Sequence, residues 1–242
     1  MMRIGAVAAL AVLLLSTVVV VVGCNGTEGD GGGGGASVPL GTAREYTAGD
    51  TWDYQLTGTF VASGGGTTPV TPTTATLGFA AASTVPGSAM LALNVPVAHG
   101  AVDDLYVYSV AFTQDPTTHT LTLTGLSPMD GNPAAFDTPI VGPDAANLGG
   151  AGAWSGATNV AGFGAFEIDT TKEATENVTV GGETFECYRV TGSKSLDGFP
   201  STFTVWINPQ LGAFAKMTTS YTDLLGTTNL TYELSNTTVP LP

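Results

Sequence analysis

From about Leu40 onward, apolar side chains recur at every second position and no stretch holds a sustained helical spacing. A period of two is the mark of strands that bury one face and wet the other. Trp52, Tyr54, Leu56 and Phe60 stand on one side of a segment whose other side carries Thr51, Asp53, Gln55, Thr57 and Thr59. The alternation returns at Ala75, Leu77, Phe79 and Ala81, at Leu91, Leu93 and Val95, at Leu121 and Leu123, and at Leu230, Tyr232 and Leu234. Residues 105–112 and 201–208 are bulky on both faces and suit central strands. The pattern predicts an all-β antiparallel domain of nine to eleven strands with very little helix. Two architectures satisfy it, a strongly curved half-barrel or a two-sheet sandwich.

The clearest local signal is Asn208-Pro209-Gln210-Leu211-Gly212 between segments 202–207 and 213–222. Pro209 presets the φ of a type I turn and Gly212 supplies a left-handed residue that rejoins the strands. Residues 59–74, with three consecutive glycines and two prolines, read as a long hairpin loop. Residues 127–164 are rich in Gly, Pro, Asp and Ala, and so long a loop is either functional or conceals an element. A short helix would best fit near 143–148. Residues 39–242 read as one domain, with a subdivision possible within 127–164.

Ahead of the domain lies an uncharged apolar run, residues 4–22, preceded by Met1-Met2-Arg3 and closed by Val21-Val22-Gly23-Cys24. This resembles the signal peptide and lipobox of bacterial lipoproteins. The resemblance implies that residues 1–23 are removed, that the Cys24 thiol receives a diacylglyceryl group, and that Cys24 becomes the acylated N-terminus. The competing reading is a retained spanning helix, since the run approaches the roughly 20 residues that cross a bilayer. Against a retained helix stand Asn25-Gly26 and an uninterrupted glycine run from Gly31 to Gly35, within a tether spanning residues 24–38. Such a coil reaches about 20 Å root-mean-square. The address implied is the bacterial cell envelope, facing periplasm or exterior. Asn25 rather than Asp after the Cys favours the outer membrane in a diderm.

Charge narrows the partners. The chain carries a formal net charge of −14, and once Arg3 leaves with the leader its basic residues are Arg44, Lys172, Arg189, Lys194 and Lys216. Nucleic acid is excluded as a partner, because binding it needs clustered Lys and Arg. Anionic lipid headgroups are disfavoured for the same reason, which leaves the acyl chains on Cys24 as the membrane attachment. With Cys24 so used, Cys187 has no intramolecular disulfide partner.

Chemistry-bearing motifs are sparse. No Gly-x-Ser-x-Gly, His-Glu-x-x-His, phosphate loop or Cys-x-x-Cys is present. His119 alternates with Leu121 and Leu123 and reads as a strand-end core residue, while His99 reads as a turn residue. Asp130-Gly131-Asn132 and Asp137 suggest a calcium loop, but the EF-hand register fails: position five is Ala134 and position twelve is Val141. Cys187 has no base beside it in sequence and reads as a small packed hydrophobe. No metal, cofactor or catalytic residue is expected.

A second resemblance rests on Gly49-Asp50-Thr51-Trp52-x-Tyr54, on Gly182-x-Thr184-Phe185-x-Cys187-Tyr188-x-Val190, and on Val205-Trp206-Ile207-Asn208-Pro209-x-Leu211-Gly212 with Lys216. These look like a set found in bacterial envelope proteins with a strongly curved antiparallel sheet. That group has no established catalytic residues to transfer. The expected function is a noncatalytic binding module whose sheet face, with Trp52, Tyr54 and Trp206 as candidates, holds an apolar ligand or a partner protein segment. The alternatives are a structural or surface-interaction protein without a pocket and an enzyme acting on envelope glycans.

Overall fold

The computed structural model describes residues 37–41, 44–99, 102–117, 120–127, 131–142 and 152–241, and of residues 97–99 and 102–106 the backbone alone. No described residue is helical. Twelve strands run in chain order: β1 (Thr51–Ala62), β2 (Thr67–Ala80), β3 (Ala89–His99), β4 (Val102–Gln114), β5 (Leu121–Ser127), β6 (Ala134–Val141), β7 (Ala153–Val160), β8 (Gly164–Val180), β9 (Glu183–Leu196), β10 (Phe199–Asn208), β11 (Ala213–Thr222) and β12 (Gly226–Thr237). Each pairs antiparallel with the next, and β1 pairs with β12, so the sheet closes into a barrel.

The all-β antiparallel reading holds, and its finer form is corrected. The sheet is neither a half-barrel nor a sandwich, and it has twelve strands rather than nine to eleven. Closure depends on β1 meeting β12, with Leu56 opposite Tyr232 and Gly58 opposite Leu230. Local periodicity cannot report a pairing between the two ends of a domain.

Both stretches that read as loops contain strand: the first lengthens β1 and β2, and the second holds two further strands. In 59–74 the turn is only residues 63–66, where Gly65 and Gly66 take φ of 86° and 97°. Pro69 and Pro72 lie within β2, in the part that pairs with β1 but extends beyond its ladder with β3. There a missing N–H on the open side costs no ladder bond. In 127–164 the hidden elements are β6 and β7. β6 buries only Phe136 and Ile140, with Thr138 between them exposed, and its register against β5 shifts between Leu123 and Gly125. β7 runs through small residues such as Gly156 and Ala157 that give no alternation signal. The helix read near 143–148 lies outside the described residues. Strands on either side of this segment belong to the same barrel.

The 208–212 turn forms as read. Gly212 N–H donates to Pro209 O at 3.2 Å and Gly212 has φ 70°. Asn208 adds a role that the turn pattern alone does not convey. Its Oδ1 accepts from Gln210 N and Leu211 N, while its Nδ2 donates to Val38 O, Pro39 O and Glu186 O at 3.1, 2.9 and 2.8 Å. It thereby fastens the chain ahead of β1 to the barrel. Val38 itself forms a parallel bridge with Phe185, and Tyr46 packs its ring against Phe79, Phe112 and Trp52 at 5.3, 5.5 and 6.2 Å. Arg44 pairs with Asp50 at 3.0 Å. This strap, residues 37–41 and 44–50, covers the barrel end where β1 starts.

Apolar side chains point inward. Trp52, Tyr54 and Leu56 are buried while Gln55, Thr57 and Thr59 are exposed, and β8 buries Phe166, Ile168 and Thr170 against exposed Glu167, Asp169 and Thr171. A membrane-spanning barrel shows the opposite arrangement, with an apolar band outside.

Candidate functional site

The inward face is apolar over most of its area, with a polar group set into it on strands β8 to β12. Register fixes its members. Lys194 on β9 lies opposite Ile168 on β8 and opposite Ser201 on β10, and Ser201 lies opposite Tyr221 on β11. All four are buried, with Lys194 and Ser201 each only 3% exposed. The next row toward the strap contains Gly192, Phe203, Thr219 and Leu230, and the row beyond it contains Val190, Val205, Met217 and Tyr232.

Lys194 Nζ stands 5.0 Å above the centre of the Phe203 ring. Gly192 makes that ring placement possible, since a Cβ there would collide with Phe203 and with Asp169 O. Burial holds the Lys194 ammonium well below the ordinary lysine range. Ser201 Oγ on β10 and Tyr232 Oη on β12 are buried without a hydrogen-bond partner among the described residues.

The residues singled out from sequence divide between the two faces. Trp52 and Tyr54 lie together on the inward face near the strap, fully buried. Trp52 Nε1 donates to Leu211 O at 2.9 Å and Tyr54 Oη to Phe214 O at 3.1 Å, with the Tyr54 and Phe214 rings stacked 4.0 Å apart. Their polar atoms are spent on the wall they build. Trp206 alternates with buried Val205 and Ile207 and lies half-buried on the outer face, where its Nε1 donates to Glu176 and Lys216 sits over its ring. The structure therefore brings Trp52 and Tyr54 together and sets Trp206 apart from them.

Cys187 is buried, and desolvation, reinforced by Glu176 and Glu186, pushes its thiol up to about 12. His99 ends β3 opposite Val102 rather than sitting in the turn. Cys24, His119 and Asp130 lie outside the described residues, and Asp137 is exposed on β6. Among the described residues no cluster of His, Cys, Asp and Glu could hold a metal ion.

Lys194 is not among the sequence-based candidates, although the sequence carries a signal for it. Val190, Gly192, Lys194 and Leu196 share one period-two register, which sets a lysine at an inward position. No protein-family model, curated protein or solved structure matches the chain in comparison.

Proposed function

We propose that this chain is a lipid-anchored protein of the bacterial cell envelope, attached through acyl chains on Cys24, and that its barrel is a noncatalytic binding module for an apolar ligand. One observation carries the ligand reading: a closed twelve-strand sheet whose described inward face is largely apolar, with a few buried polar groups such as Lys194, Ser201 and Thr219. Eight strands enclose a space that side chains alone can fill, and higher strand numbers enclose more. Apolar linings with a few placed polar groups are the usual make-up of small-molecule sites. The strap, with Tyr46 packed among Trp52, Phe79 and Phe112, closes one end with further apolar surface.

Native mass spectrometry of the full chain extracted from membranes tests the ligand. A bound lipid-sized adduct, or uptake of one from added lipid extract, is expected; an apo mass that takes up nothing overturns the reading. Attachment is tested separately by fatty-acid labelling and fractionation of Cys24→Ala. Loss of both label and membrane association is expected, whereas an unlabelled protein still in the membrane would point to a spanning helix.

A surface-interaction role has one observation in its favour. Leu224 is 94% exposed and Leu225 49%, and Val61 is exposed on β1, whose hairpin end meets them through the Ser63 N to Leu225 O bond. This apolar tip lies at the barrel end opposite the strap.

A further inference from the structure

We infer that residues 67–74 of β2 are a site of O-glycosylation, at which Thr67, Thr68, Thr71 and Thr74 accept sugar from an activated sugar phosphate.

The segment reads Thr67-Thr68-Pro69-Val70-Thr71-Pro72-Thr73-Thr74. Threonine interrupted by proline is the composition of O-glycosylated segments. None of these residues is buried, and Thr67, Thr68, Thr71 and Thr74 are exposed, whereas Ala75 and Leu77 further along the strand are buried. Successive residues of a strand point to opposite faces, so the exposure of both Thr67 and Thr68 means that this part of the hairpin stands clear of the core.

The backbone is open as well. Residues 67–70 and 73–75 pair with β1, while the ladder with β3 starts only at Thr76 opposite Asn94. A strand with one unpaired edge can be gripped along its length by another chain, here the groove of a transferase. Thr71 lies on a bulge, since Gly58 faces Val70 and Leu56 faces Thr73. Several threonine hydroxyls elsewhere are spent within the sheet, as in Thr76 to Asp53 at 2.7 Å, Thr222 with Thr227 at 2.9 Å and Thr237 to Thr51 O at 2.8 Å. Those of Thr67, Thr68, Thr71 and Thr74 make no hydrogen bond among the described residues, so capping them breaks none. In the transfer, the threonine Oγ attacks the anomeric carbon and the carbon–oxygen bond to phosphate breaks. The phosphate leaves with the electron pair, and the hydroxyl proton passes to a base of the transferase. Charge favours sugar over phosphate as the added group. A phosphate would deepen a net charge already at −14, and no Lys or Arg lies between Arg44 and Lys172 in sequence to receive it.

The test is the intact mass, in denaturing solvent, of the full chain purified from the membranes of its own organism. The chain is expected to be heavier than polypeptide and acyl chains account for by whole monosaccharide residues, with electron-transfer fragmentation placing the added mass within 67–74. Replacing Thr67, Thr68, Thr71 and Thr74 together by Val keeps the β-branched shape, removes the hydroxyls and should abolish the added mass in the same organism. A native chain without sugar overturns the inference, and so does sugar placed only outside 67–74 or retained in full by the fourfold variant. If that variant does not fold, the map of the native chain decides. Denaturing solvent strips any noncovalent ligand, so the outcome is independent of the apolar-ligand reading.

Discussion

Asn208 concentrates more structural consequence in one side chain than any other described residue of the 208–212 turn. Its amide joins the turn, β9 and the strap, with hydrogen bonds to five backbone groups. Leaving buried carbonyls and N–H groups unsatisfied costs about 1–3 kcal/mol apiece, so Asn208→Ala should destabilise the protein by about 3 kcal/mol or more in a urea titration. Asn208→Asp keeps the acceptor but aims a carboxylate at three carbonyls, and should be nearly as damaging. A mild effect of Asp beside a severe one of Ala would mean the strap contacts contribute little. Lys194 gives a pH signature. Its folded-state proton affinity lies well below the ordinary lysine value of 10.5, so between those two values the unfolded chain holds more protons and stability rises with pH. Ile168 and Ser201 lie beside it on the neighbouring strands, and the Phe203 ring lies under its ammonium. Melting curves of the native chain and Lys194→Met should therefore converge as pH rises toward 10, the difference being largest at the acid side of the window. Cys187, with its thiol pushed up to about 12, should ignore a thiol-reactive dye in the native state and react once in denaturant; rapid native labelling would contradict its placement in the core.

Strands differ in how firmly they hold the ring. β8 and β9 share a continuous ladder from Phe166 opposite Leu196 to Val180 opposite Glu183, broken by one irregularity. β6 and β7 share a single registered pair, Phe136 opposite Val160. What joins them otherwise includes side-chain bonds: Thr138 N to Thr158 Oγ1 at 3.1 Å and Trp154 Nε1 to Val141 O at 3.0 Å. Local opening tracks the density of satisfied ladder bonds. Amide hydrogen exchange should accordingly be fastest in β6 and β7 and slowest in β8 to β11, and uniform protection around the ring would refute the seam. The same contrast explains how much a sequence can tell. Segments that bury alternate bulky residues, such as Trp52, Tyr54 and Leu56, are plain in the sequence, and so is the Asn208 to Gly212 turn. β6 buries two residues four apart and β7 is built from small ones, so neither produces the period that a strand reading depends on. Within the candidate site, Trp52 and Tyr54 are legible as inward residues by alternation alone. Lys194 is masked by the expectation that a charged residue belongs outside.

At the scale of the whole molecule, closure is the property least visible in the chain. The pairing of β1 with β12 joins segments at opposite ends of the domain, and Thr51 N also donates to Thr238 Oγ1 at 2.9 Å. Closing a contact of such separation costs more chain entropy than closing a neighbouring hairpin, so slow folding is expected. Because first and last strands are neighbours, a circular permutant joined by a flexible Gly-Ser linker and opened at residues 63–66 should fold with an unchanged β-sheet circular dichroism spectrum. One opened in the middle of β8 should not. If both fail alike, the β1–β12 pairing is not what completes the sheet. Closure also governs how copies meet. A sheet with ends offers unpaired backbone to its neighbours, and proteins held side by side on one surface encounter each other edge-on far more often than in dilute solution. This ring offers no terminal strand to extend, the outer faces of β1 and β8 carry mainly threonine and carboxylate, and every copy carries the same excess negative charge. At high local concentration, molecules so built should slide past one another instead of polymerising.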